Sequence, residues 1–150
     1  MLKQVQHDKK TMNVIPTVGV LIFKDKKVLL VKHGAASSHI VDTYSWPGGR
    51  FRYGETNREA AVRELWEETG LEARGEDLEE FIHDIPPAEI IRRNGETETF
   101  SVELFVCTKY SGSLKSSDET TPEWVNVSDL DKFTLLPNVK RVVTILSQVL

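Results

Sequence analysis

Residues 49 to 71 read Gly-Arg-Phe-Arg-Tyr-Gly-Glu-Thr-Asn-Arg-Glu-Ala-Ala-Val-Arg-Glu-Leu-Trp-Glu-Glu-Thr-Gly-Leu, and the second half of this stretch is a helix with marked ends. Thr56 followed three residues later by Glu59 makes a capping box, each side chain satisfying an otherwise orphaned backbone N–H. Gly70 suits the left-handed position that closes a helix, with Leu71 folding back toward Trp66. Between these ends Ala61, Val62, Leu65 and Thr69 recur at helical spacing and should face a core. Glu64, Glu67 and Glu68 stand at i, i+3 and i+4, so their carboxylates share a face and oppose the helix by about 0.2–0.5 kcal/mol per pair. Glu67 and Glu68 also lie in the last turn, where the helix dipole is already negative, and the next basic residue is Arg74. A hard divalent cation, Mg²⁺ or Mn²⁺, would reverse the sign of that arrangement. The competing reading is a solvated acidic face, and the helix alone does not choose between them.

The spacing of the whole stretch does choose. Gly49, five residues, Glu55, seven residues, Arg63-Glu64-Leu65, one residue, Glu67-Glu68, one residue and Gly70-Leu71 together resemble the signature of the Nudix (MutT-like) hydrolases at every defined position. With each residue type used at roughly 6–7%, a chance match in a chain of this length is on the order of one in ten million. The resemblance implies a Nudix-type α/β/α sandwich with a mixed β-sheet between helices, where the residues read on their own give only α/β or α+β.

Length and composition set the outer bounds. At 150 residues the chain forms one domain large enough for a proper core, expected over 13–150 after a flexible polar segment, 1–12. The net charge of −4 argues against general nucleic-acid binding but not against a phosphorylated small molecule. One cysteine, Cys107, excludes an internal disulfide and a cysteine-based zinc cluster. The first ten residues contain no apolar run resembling a secretory leader, and no segment has the ~18 apolar residues of a membrane span. A cytoplasmic setting is expected.

Along the chain, 14–23 reads as a strand with Pro16 near its start or at an edge. A turn at Asp25-Lys26 leads to a returning strand at 28–31. The polar loop 34–45 is long enough to serve binding. Strands are expected at 80–85, at 89–93 before an Asn94-Gly95 hairpin turn, at 97–110 and at 122–126. Asn138 should cap a last helix whose apolar stripe is Val142, Ile145, Leu146 and Val149.

The resemblance also assigns roles. Glu64, Glu67 and Glu68 become metal ligands, joined by the backbone carbonyl of Gly48, and Glu64 activates the attacking water. Glu55 supports the site, and Arg63 pairs with it; an ordinary Glu59–Arg63 surface pair is the local alternative. Glu119, in the loop after the long strand, is the candidate for a further catalytic carboxylate, with Asp118 and Glu123 as neighbours. Lys32, His33, Arg50 and Arg52 are candidate phosphate contacts, and Tyr44, Phe51 and Tyr53 could stack on a base. The implied reaction is metal-dependent hydrolysis of a nucleoside diphosphate linked to another group: a nucleoside triphosphate, or ADP-ribose or a nucleotide sugar. Pro86, fifteen residues past Leu71, resembles the ADP-ribose subgroup, whereas the short chain and Trp46-Pro47-Gly48-Gly49 resemble the small MutT-like triphosphatases, so both substrate types stay open. The alternative is a non-catalytic nucleotide-sensing module. A homodimer is an assembly the family allows.

Overall fold

Helix α1, Asn57–Thr69, carries both ends read from the sequence. The Glu59 N–H donates to Thr56 Oγ1 at 3.2 Å, and the Thr56 N–H to Glu59 Oε1 at 3.0 Å. At the other end Gly70 has φ 84° and its N–H reaches the Trp66 carbonyl at 2.9 Å. Ala60, Ala61, Leu65 and Thr69 are buried, and Glu64 is buried with them.

The computed structural model describes residues 13–81 and 84–150, so the reading of 1–12 lies outside the described residues. β1 (Val14–Leu21), β5 (Gly48–Arg50), β6 (Leu78–Glu80), β7 (Ala88–Ile91) and β8 (Thr97–Cys107) form a mixed five-stranded sheet. Its axis is a parallel β1–β8 pair, flanked by antiparallel β5 on one side and by β6 and β7 on the other. β2 (Phe23–Lys24), β3 (Lys27–His33), β4 (Tyr44–Ser45) and β9 (Thr120–Asn126) form a second, antiparallel sheet. α2 is Val139–Ser147.

Alternation decides which layer each side chain joins. On β8, Leu104 and Val106 enter the core covered by α2, while Phe105 and Cys107 enter the core covered by α1. β3 divides likewise, with Val28 and Leu30 against Leu29. The sheets therefore lie between two helices, which is the α/β/α sandwich. No helix among the described residues is long and apolar enough to cross a membrane.

Several expectations need correction. The single strand 14–23 divides between the two sheets. The strand expected over 80–85 is Leu78–Glu80, with residues 82 and 83 outside the described set. Asn138 does not cap α2: it sits at φ 73°, makes no side-chain cap bond, and spends its Nδ2 on the Pro86 carbonyl at 2.9 Å. The buried stripe of α2 is Val139, Val142, Val143 and Leu146, leaving Ile145 and Val149 exposed.

Candidate active site

The loop before α1 is clamped to the helix by one side chain. Arg63 donates from Nε to Glu55 Oε2 at 2.7 Å and from Nη2 to Glu55 Oε1 at 2.8 Å. Its remaining N–H groups reach Glu64 Oε1, Glu67 Oε2 and the Arg50 carbonyl, at 2.8, 3.1 and 3.0 Å. All five donors of a guanidinium are thereby engaged. Glu55 also accepts the Arg52 N–H at 2.7 Å, and these bonds, led by Arg63, hold its carboxyl down at about 2. Glu59 takes no part, being committed to the helix cap.

Gly48 and Gly49 bring backbone against the acidic face. The Gly48 N–H donates to Glu68 Oε1 at 2.7 Å, and a Cβ on Gly48 would fall 2.2 Å from the Val18 carbonyl oxygen. A Cβ on Gly49 would meet the Glu64 carboxylate at 2.6–2.7 Å. Gly49→Ala should therefore displace a flexible carboxylate instead of breaking the fold. We expect at least a tenfold fall in turnover with a stability loss near 1 kcal/mol, measured by kinetics and chemical denaturation; unchanged kinetics would mean that Glu64 does not need this position.

Glu64, Glu68 and Glu119 line one cavity of about 380 Å³ together with Gly48. Burial, then the charges of Glu64, Glu119 and Glu67, push the Glu68 carboxyl up to about 8 against the opposing Gly48 N–H. Burial likewise raises Glu64, despite Arg63. Carboxylates so crowded that one resists ionisation form a donor set that fits a hard divalent cation. As the side chains stand, no three His, Cys, Asp or Glu among the described residues form a ready coordination group; Glu64 and Glu67 are turned to Arg63, and Glu68 to the Gly48 N–H.

The remaining sequence candidates separate. His33 and Arg50 line the cavity. Arg52 is exposed and pairs with Glu67 at 2.9 Å, Lys32 pairs with Asp42 at 3.5 Å, and neither lines it. Tyr44 is a correction: only 8% exposed, it packs edge-on against Phe133 in the α2-side core and donates its hydroxyl to Glu123 at 2.9 Å. Phe51 packs against the α1-side core, and Tyr53 is fully exposed. Glu119 is an exposed loop residue whose backbone is fixed by the Gly34 N–H at 2.8 Å and by Ser117 Oγ.

Arg92 and Phe100 on the cavity wall carry no signal in the sequence, while Trp46 reads only as part of a family-like stretch and Asn138 only as a helix cap. His39, also on the wall, lies in the loop 34–45 that length alone marked for binding. His33 is held by Ser37 and Ser45, each at 2.9 Å from a ring nitrogen. Burial first, then neighbouring positive charge, lowers His33 and His39 to about 4, so both rings are neutral near pH 7.

Several known proteins are similar to this chain. The chain is 38% identical over 85 residues to the oxidized purine nucleoside triphosphate hydrolase of Danio rerio, covering 57% of this chain and 48% of that protein. It is 32% identical over 120 residues to the ADP-ribose pyrophosphatase of Methanocaldococcus jannaschii, covering 78% and 66%. It thus spans about half the length of the first relative and just under two thirds of the second. Among solved structures, that of the Escherichia coli ORF135 protein superposes with a TM-score of 0.67 at 22% identity, over 93% of this chain and 92% of that one. The NUDIX domain model matches residues 14–145, a span that holds both sheets, α1 and every carboxylate gathered above. By that match and by its fold, this chain belongs to the NUDIX domain family.

Proposed function

We propose that the chain is a metal-dependent nucleotide pyrophosphohydrolase, cleaving a nucleoside diphosphate linked to another group by water attack on phosphorus. The observation that carries this reading is the gathering of Glu64, Glu68 and Glu119 on the wall of one nucleotide-sized cavity. Mg²⁺ or Mn²⁺, held by Glu64, Glu67, Glu68 and the Gly48 backbone, would neutralise phosphate charge and acidify a bound water. Among the chain's own groups, Glu64 is the proton acceptor best supported by position, since its carboxylate lies against the Gly49 backbone inside the cavity. Arg63 and Glu55 are positioning residues: they hold the end of β5, the strand of Gly48 and Gly49, and the loop after it onto α1. Relatives named for oxidized purine nucleoside triphosphates and for ADP-ribose support a nucleotide with a phosphoanhydride and leave both substrate types within the proposal.

Glu119 is proposed as a second catalytic carboxylate. Its side chain is exposed, so Glu119→Gln should change stability by less than about 0.5 kcal/mol while lowering kcat roughly 10²-fold; wild-type turnover would remove Glu119 from the mechanism. The proposal as a whole is tested by a panel of nucleoside triphosphates, ADP-ribose, nucleotide sugars and dinucleotides with Mg²⁺. Release of pyrophosphate, or of a nucleoside monophosphate, is expected from at least one class. Binding without turnover across the panel would overturn it in favour of a nucleotide sensor.

A further inference from the structure

The loop after β3 is stitched to the β7–β8 hairpin through Arg92. The Arg93 N–H and Arg92 Nε both donate to the Ser38 carbonyl, at 3.0 and 3.2 Å, and Arg92 Nη2 bonds Ser38 Oγ. Arg92 Nη1 donates to Glu98 Oε1 at 3.0 Å. Arg92 is only 7% exposed, yet it lines the cavity, its guanidinium 5.1 Å from the centre of the Phe100 ring. A guanidinium has five N–H groups. Three are engaged, which leaves one on each terminal nitrogen without a partner among the described residues. Beside it His39, whose ring lies 6.2 Å from that of Phe100, has a buried Nδ1 with no hydrogen-bond partner among the described residues. Stitching the loop accounts for two of the donors and Glu98 for a third, but neither accounts for these, and buried polar groups are rarely left unmet.

The character of this wall limits what can meet it. Arg50 also bonds Glu98, at 3.3 Å, and lies 5.8 Å from the Phe100 ring, so two guanidinium groups share one carboxylate. The wall is donor-rich and carries net positive charge. A planar pair of N–H groups matches two adjacent acceptors, as on the O6/N7 edge of a 6-oxopurine. The corresponding edge of adenine offers one donor and one acceptor, and matches Asn or Gln instead. A cavity of about 380 Å³ is within the usual range for a small-molecule site.

We propose that Arg92, with the unmet Nδ1 of His39 beside it serving as a donor in the Nδ1-protonated tautomer, selects 6-oxopurine nucleotides over 6-aminopurine ones in this cavity. The inference rests on the pyrophosphohydrolase reading, which assigns the phosphates to the carboxylate side, but it concerns the base.

Trp46 on the cavity wall provides a fluorescence readout that needs no turnover. Inosine, guanosine and adenosine monophosphates carry the same phosphate and are titrated against the protein with Mg²⁺ present. The wild-type protein should bind the two oxopurines about tenfold or more tighter than AMP. Arg92→Gln should bring that ratio to parity or reverse it, an outcome that general loosening of the loop would not produce. His39→Phe should weaken IMP at least threefold and leave AMP within twofold. Equal binding of IMP and AMP by the wild type, or an undiminished IMP preference in folded Arg92→Gln, overturns the inference. Should Arg92→Gln fail to fold, His39→Phe decides, and an unchanged IMP-to-AMP ratio overturns it. Selective IMP binding by a protein that hydrolyses no nucleotide would support this inference while overturning the pyrophosphohydrolase reading.

Discussion

Glu68→Gln should all but abolish turnover while giving a protein that melts higher than the wild type in metal-free buffer. The carboxylate is confined with Glu64, Glu67 and Glu119 around it, and burial with those charges raises its pKa to about 8. Glutamine keeps an oxygen for the Gly48 N–H that Glu68 now accepts at 2.7 Å. It also removes a group that near pH 7 must take up a proton on folding, a cost that grows as pH rises from the ordinary carboxylate pKa to about 8. Loss of a positioned carboxylate lowers kcat by roughly 10²–10⁴-fold. Relief of that cost near pH 7 should raise Tm by about 3–6 °C, or 1–2 kcal/mol in a domain of this size. The decisive comparison is scanning calorimetry with and without Mg²⁺. A cation that binds only the folded state raises Tm, so the wild type should gain stability on adding it and the variant should gain much less. A variant with wild-type turnover and an unaltered metal response would end the proposed role of this carboxylate.

Arg63→Ala should be the most damaging change at the site for stability. The guanidinium satisfies acceptors on Glu55, Glu64, Glu67 and the Arg50 carbonyl at once, and its side chain is only 15% exposed. Removing it leaves Glu55 and Glu64 without their cation, leaves Glu67 with Arg52 alone, and frees the 49–55 loop from α1. Breaking a buried pair from one side costs about 3–5 kcal/mol. Because this one lies at the rim of the site, we expect about 2–3 kcal/mol, a fall in Tm of roughly 5–10 °C. Turnover should fall at least 10²-fold through misplacement of Gly48 and Gly49. Arg63→Lys should restore little of either, since one ammonium cannot reproduce a planar fork on Glu55. Full rescue by lysine would show that charge alone, and not the two-point grip, holds the loop.

α1 could be read residue by residue because its determinants are close in the chain: Thr56 with Glu59, Gly70 with Trp66, and the acids one turn apart. The strands at 28–31 and 97–110 were legible for the same reason, but the layers that Leu29 and Phe105 join, opposite to Leu30 and Leu104, were decided by the tertiary structure. The cavity wall could not be read in this way. Arg92 meets Ser38 across 54 residues of chain, and Asn138 meets Pro86 across 52. Neither contact leaves a periodic or capping signature. The place of Tyr44 is decided by the same long-range pairing. An aromatic near a glycine-rich turn looks available for stacking until strand pairing puts it under Phe133 and beside Glu123.

Local hydrogen bonding and side-chain periodicity, acting over a few residues, were enough to define the acidic helix and its ends, whereas the pairing of Arg63 with Glu55 followed only from the resemblance. Pairing between distant strands determined the rest: which basic and aromatic side chains surround the acids, and that Arg92 is buried in the cavity wall with donors to spare. Short-range interactions are written in residue spacing, whereas a cavity exists only where separate segments meet.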